Sequence, residues 1–199
     1  MSSSIRIVDY DPQWPILYEE EKASILGVIG DLVLDIQHIG STAVAGLGAK
    51  PIIDIMVAIR GLALIEKCIQ PLQTIGYEYR GEYGIPGRHF FRKPPGDLEA
   101  RTHHLHLVEK ESDFWERHIL FRDFLRVHPE ETQRYYELKR ELASKFVSDR
   151  DAYTDAKTSF IESVVNKASL SKVTDSQRCG ARVTKEDLWL EGAKPRERN

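Results

Sequence analysis

The segment HIGSTAVAGLGAKPIIDIMV, residues 38–57, constrains this chain more than any other. It runs from one apolar stretch through a turn holding Gly40, Gly46 and Gly48 into a second apolar stretch, which carries a single charge, Asp54. Side chains alternate across a strand, so Ile53, Ile55, Val57 and Ile59 face one way as core. Ile52, Asp54, Met56 and Ala58 face the other way. A carboxylate on such a face bears a heavy desolvation cost unless it is partnered. Its face neighbours offer no donor, so a cation must keep it ionised; a divalent ion, Arg88 and Lys50 are the candidates. Without one, the carboxyl group would bind a proton instead.

Around this segment the periodicity predicts an α+β chain. A helix is expected from about Gln13 to Ile29, closed by Gly30. Strands are expected at 32–39 and 52–59, a helix at 62–74, short strands at 77–83 and 88–93, and another strand at 103–108. A helical half follows, with Ser112 as an N-cap, Pro129 opening a second helix and a last helix starting near Asp151. The fold class expected is therefore α+β: a mixed β-sheet with an N-terminal helix and a C-terminal helical half. One domain is expected over residues 1–168. After Ser169 the apolar pattern stops, which predicts a flexible tail over 169–199, with Leu188, Trp189 and Leu190 as its apolar exception.

Composition narrows the function classes. A net charge of −3 gives no whole-chain attraction to nucleic acid or an anionic membrane. No apolar run approaches the roughly 20 residues of a membrane span. The first ten residues show no secretory h-region. Cys68 and Cys179 have no metal or redox spacing, and a cytoplasmic protein without a structural disulfide is expected.

Several residues could carry chemistry. In the turn, glycines let the backbone approach a phosphate, and the Ser41 and Thr42 hydroxyls add donors. The GxxxxGKS/T spacing of a P-loop is absent. On HHLHLV (103–108), His104 and His106 share one face and Leu105 and Leu107 the other, so the imidazoles look onto a cleft or solvent. His38 and His103 read as structural. Lys50 precedes the Asp54 strand. Arg88 and Arg92 share a face with Phe90, while Lys93 faces away. Tyr153 and Lys157 stand one turn apart on a helix.

Gly40-Ser41 after a strand, followed by an aspartate on the next, resembles the nucleotidyltransferase superfamily of the DNA polymerase beta type. HIGSTAVAGLGAKPIIDI, GRHFFRK, THHLHLVE, FRDFLRVHP and AYTDAKTSF together resemble the GrpB family of predicted nucleotidyltransferases, over about residues 5–167. In that family the domain also occurs fused to dephospho-CoA kinase. The resemblance implies a nucleotidyltransferase-like fold with the cleft between sheet and helical half. It implies that the Gly40-Ser41 turn, with Thr42, holds the phosphates of a nucleoside triphosphate. Lys50, Arg88, Arg92, Tyr153 and Lys157 are candidate further nucleotide contacts, Arg88 and Lys157 because they fall inside those motifs. It also implies that Asp54 is catalytic and binds a divalent metal. The superfamily pairs its aspartate with a second carboxylate two residues on, and here that position is Met56, which does not ligate a hard cation.

Three outcomes stay open. Asp54, His104 and His106 form an altered site for Mn²⁺ or Zn²⁺, or a single Mg²⁺ suffices, or the domain only binds a nucleotide or another phosphorylated ligand. The function expected is metal-dependent nucleotidyl transfer to an unidentified acceptor hydroxyl, nucleic acid being disfavoured by the acidic body. The alternatives are a non-catalytic nucleotide-binding domain, or an accessory domain related to the one fused to dephospho-CoA kinase.

Overall fold

The computed structural model describes residues 5–96 and 100–180. Helix α1 (Trp14–Ile29) leads into strand β1 (Val33–Ile39), and a short turn of helix at Ser41–Ala43 connects it to β2 (Ile53–Ile59). Then come α2 (Ile65–Thr74), β3 (Glu78–Tyr79), β4 (His89–Lys93) and β5 (His103–Glu109). The helical half holds α3 (Asp113–Val127), α4 (Pro129–Phe146), α5 (Arg150–Asp155) and α6 (Thr158–Gly180). The α+β expectation holds.

The five strands lie in the order β1-β2-β5-β4-β3. β2 and β5 pair in parallel, whereas β1–β2, β5–β4 and β4–β3 are antiparallel, so the sheet is mixed. The isoleucines and valine of β2 join Leu105, Leu107 and Phe91 in a core against α1 and α2. Its other face buries Ile39, Met56, Ala58 and Val108 against Trp115 of α3. Register carries the site: Asp54 stands opposite Ile39 on one side and His104 on the other, and Met56 stands opposite His106.

Three expectations differ from the sequence pattern. The strand expected at 77–83 is only Glu78–Tyr79, because the chain turns at residues 81–84. The expected helix from Asp151 is two helices. The Asp149 side chain caps the first by accepting from the Ala152 N–H at 3.0 Å, and the chain turns at Ala156 and Lys157 before α6 starts. No Gly or Pro announces that break. Helix α6 also continues past Ser169 to Gly180, since residues 169–179 contain no helix-breaking residue. The remainder of the expected tail, with Leu188, Trp189 and Leu190, lies outside the described residues. Ser112 caps α3 as expected, its hydroxyl accepting from the Trp115 N–H. Among the described residues no helix is long and apolar enough to cross a membrane.

Leu105 is fully buried at the centre of the sheet. Leu105→Ala is expected to cost about 2–5 kcal/mol of stability, read as a lowered urea midpoint with an unchanged slope.

Candidate functional site

The turn after β1 is held from both sides. His38 stacks on Tyr18 with ring centroids 4.7 Å apart, and its Nε2–H donates to Thr42 Oγ1 at 3.0 Å. Thr42 in turn donates to the Ile52 carbonyl at 3.3 Å, so its hydroxyl braces the turn. Burial pushes the His38 imidazole down to about 4, which keeps it neutral and fits the structural role expected of it. From the helical half, Arg122 donates to the Gln37 side chain and the His38 carbonyl, and Arg126 donates twice to the Ala43 carbonyl.

Gly40 adopts a φ of +71°, and a Cβ placed there would lie 2.5 Å from Asp54 Oδ2. Only glycine satisfies both the left-handed backbone and this approach. The turn and the aspartate are therefore in contact, as the spacing predicts. The Asp54 side chain is 29% exposed, and His104 Nδ1–H donates to its Oδ1 at 3.0 Å. Burial pushes this carboxyl up and the hydrogen bond from His104 pulls it down; the net shift is downward, and the group stays ionised. The partner of Asp54 in the structure is thus an imidazole, where the sequence analysis looked to a metal, Arg88 or Lys50. The other ring nitrogen of His104, Nε2, is buried without a hydrogen-bond partner.

Asp54 and His104 open onto a cavity of about 230 Å³ together with Ser41, Thr42, Lys50, Tyr153 and Lys157. Those residues, met separately along the sequence, are brought to one place. Tyr153 is buried, and the Lys50 and Lys157 ammonium groups each stand 4.4 Å from its ring centroid. A ring face attracts cations, so one tyrosine supports both charges. Lys157 reaches the cavity because it occupies the break between α5 and α6.

The cavity also holds Lys139, which the sequence analysis missed. This side chain is 2% exposed, donates to the Gly48 carbonyl and stands 4.9 Å from the Tyr135 ring centroid. Burial, reinforced by the nearby Lys157 charge, pushes its ammonium down to about 7. A signal existed. Lys139 interrupts the apolar stripe Tyr135, Leu142 and Phe146 of α4, where a lysine faces the interior. Arg122 and Arg126 were also missed, although they lie four apart inside FRDFLRV.

Arg88 and Arg92 lie outside the cavity lining. Arg88 is buried and donates to the Glu82 and Tyr83 carbonyls, with Nη1 3.4 Å from His106 Nδ1. Arg92 makes a two-pronged pair with Glu78 at 2.6 and 3.0 Å. Both arginines are occupied in holding the far side of the sheet together.

The expected metal set is not assembled. His106 is turned to Arg88, its Nδ1 standing 3.4 Å from Nη1. Burial holds the His106 imidazole well below its usual value, so it is neutral. Met56 is fully buried. Among the described residues no group of three His, Cys, Asp or Glu side chains converges to hold an ion. The residues present do not fit a two-ion carboxylate site.

Known proteins share this architecture and its motifs. The family model described as GrpB protein matches residues 4–167. The glutamate-rich protein GrpB of Alkalihalophilus pseudofirmus is 39% identical over 164 residues, covering 81% of this chain and 94% of that protein. The crystal structure of conserved protein GrpB from Enterococcus faecalis aligns with a TM-score of 0.76 at 35% identity, covering 82% of this chain and 96% of that one. A dephospho-CoA kinase of Mycolicibacterium paratuberculosis is 25% identical over a match covering 82% of this chain and 46% of the kinase.

Lys139 makes a pH-dependent prediction. An unfolded lysine keeps its proton up to its ordinary value of 10.5, whereas folded Lys139 releases it above about 7. Between these values the unfolded state binds more protons, so stability rises with pH. Relative to Lys139→Met, the wild type should gain up to about 1.4 kcal/mol per pH unit between pH 7 and 9, measured in ligand-free thermal melts. A flat difference would show an ordinary solvated lysine.

Proposed function

This chain belongs to the GrpB family, and on that footing we propose that its cavity binds a nucleoside triphosphate by the phosphates, on a scaffold of nucleotidyltransferase type. The observation that carries the reading is the convergence of the Gly40-Ser41 turn with Lys50, Lys139 and Lys157 around one cavity. The turn and the ammonium groups line one cavity, and a polyphosphate would take hydrogen bonds from both. The aromatic Tyr153 is buried beneath the lysines, so it serves the charges rather than stacking on a base. A nucleotide ligand fits a cytoplasmic protein, and the buried free thiol of Cys68 is in keeping with a reducing compartment.

Nucleotidyl transfer is the second reading, favoured by the ionised state and position of Asp54. In that reaction an acceptor hydroxyl loses its proton, its oxygen bonds the α-phosphorus and pyrophosphate leaves. Asp54 is the one carboxylate lining the cavity among the described residues, and in this reading it takes that proton. The divalent cation this chemistry uses elsewhere finds no second carboxylate here, so binding is better supported than turnover. The acceptor would be a small molecule or protein hydroxyl rather than nucleic acid.

Calorimetry with ATP, GTP, CTP and UTP, in parallel with a pyrophosphate-release assay in Mg²⁺ or Mn²⁺, separates the two readings. Saturable binding without pyrophosphate is the expected outcome. Pyrophosphate release that Asp54→Asn abolishes would make transfer the function. Absence of binding at millimolar nucleotide with every divalent ion would sink both.

A further inference from the structure

The charges lining the cavity are unbalanced. Lys139 and Lys157 bring ammonium groups, and Asp54 brings the only carboxylate among the described lining residues, already hydrogen-bonded to His104. Among the described residues no acidic group offsets Lys139, whose charge is opposed by burial and by Lys157. Lys157 feels Asp54, but burial outweighs that attraction. Like charges held this close in a desolvated site cost stability unless an anion sits between them.

We propose that this cavity takes the terminal phosphates of its ligand directly on the Lys139 and Lys157 ammonium groups, so that phosphate binding needs no divalent cation. The inference rests on the nucleotide reading for the ligand's identity, but it depends only on phosphate chemistry. Ser41 lines the same cavity. With its proton held by the bound anion, Lys139 spends one donor on the Gly48 carbonyl, which fixes its head and leaves two N–H groups for the ligand. Asp54 then acts against the anion instead of for it, because no cation lies between them. The sign of its effect on binding is therefore opposite in the two schemes.

The test is titration of the full chain with inorganic tripolyphosphate in metal-stripped buffer, repeated with added Mg²⁺, and with ATP beside it. Saturable binding is expected without metal, and Mg²⁺ should change the affinity by no more than a few-fold. Lys139→Met and Lys157→Met should each weaken binding at least about tenfold, the loss of a hydrogen bond to a charged group. Should Lys139→Met fail to fold, Lys157→Met carries the test, since that side chain is only half-buried. Asp54→Asn should tighten tripolyphosphate binding.

Binding that appears only with Mg²⁺, or that Asp54→Asn abolishes, overturns the inference and leaves the nucleotide reading standing. Indifference to both lysine variants also overturns it. Tripolyphosphate binding without ATP binding upholds the inference and removes the nucleotide reading.

Discussion

The contact between the Gly40 backbone and the Asp54 carboxylate is the constraint on which the rest of the site depends. β1 and β2 are antiparallel neighbours in a register that sets Ile39 beside Asp54, so the chain leaving β1 must cross directly over that carboxylate. A Cβ at position 40 would sit 2.5 Å from Oδ2, and the backbone there is left-handed. Glycine meets both conditions, and the Ser41 side chain is thereby delivered to the cavity. His38, Thr42, Arg122 and Arg126 hold the turn in this position, so the backbone is fixed before any ligand arrives.

Two halves of the chain meet at the cavity and contribute opposite electrostatics. The sheet supplies the carboxylate and its imidazole, while the helical half supplies Lys139 and Lys157. Uncompensated buried charge destabilises a fold, so its presence here needs a reason beyond packing. Tyr135 and Tyr153 reduce that cost by presenting ring faces to the ammonium groups, at 4.9 Å for Lys139 and 4.4 Å for Lys157. This balance links a helix break at Ala156 and Lys157, a detail of local structure, to the anionic ligand proposed for the site.

The arginines show how the same residue type can serve scaffold instead of ligand. Arg92 is committed to Glu78 across β3 and β4, and Arg88 knits the loop before β4 to His106. Their place within GRHFFRK, a motif of the resembled family, suggested a position near the phosphates. What removed them was partnership with groups distant in sequence, which periodicity does not report.

The sequence by itself determined the elements and the faces. Alternation in IIDIMVAI put isoleucine in the core and Asp54 on the opposite face, the Ser112 cap and Pro129 marked helix starts, and the Gly40-Ser41 spacing to Asp54 announced a turn against a carboxylate. These are local signals, set by backbone sterics and by the period of strand or helix. Tertiary structure decided who partners whom. It gave Asp54 an imidazole from a strand fifty residues away, turned His106 towards Arg88, and broke the last helix so that Lys157 enters the cavity. It also buried Lys139 beside it. Each of these outcomes depends on desolvation and on charges brought together by folding, and neither quantity is a property of a residue's neighbours in sequence.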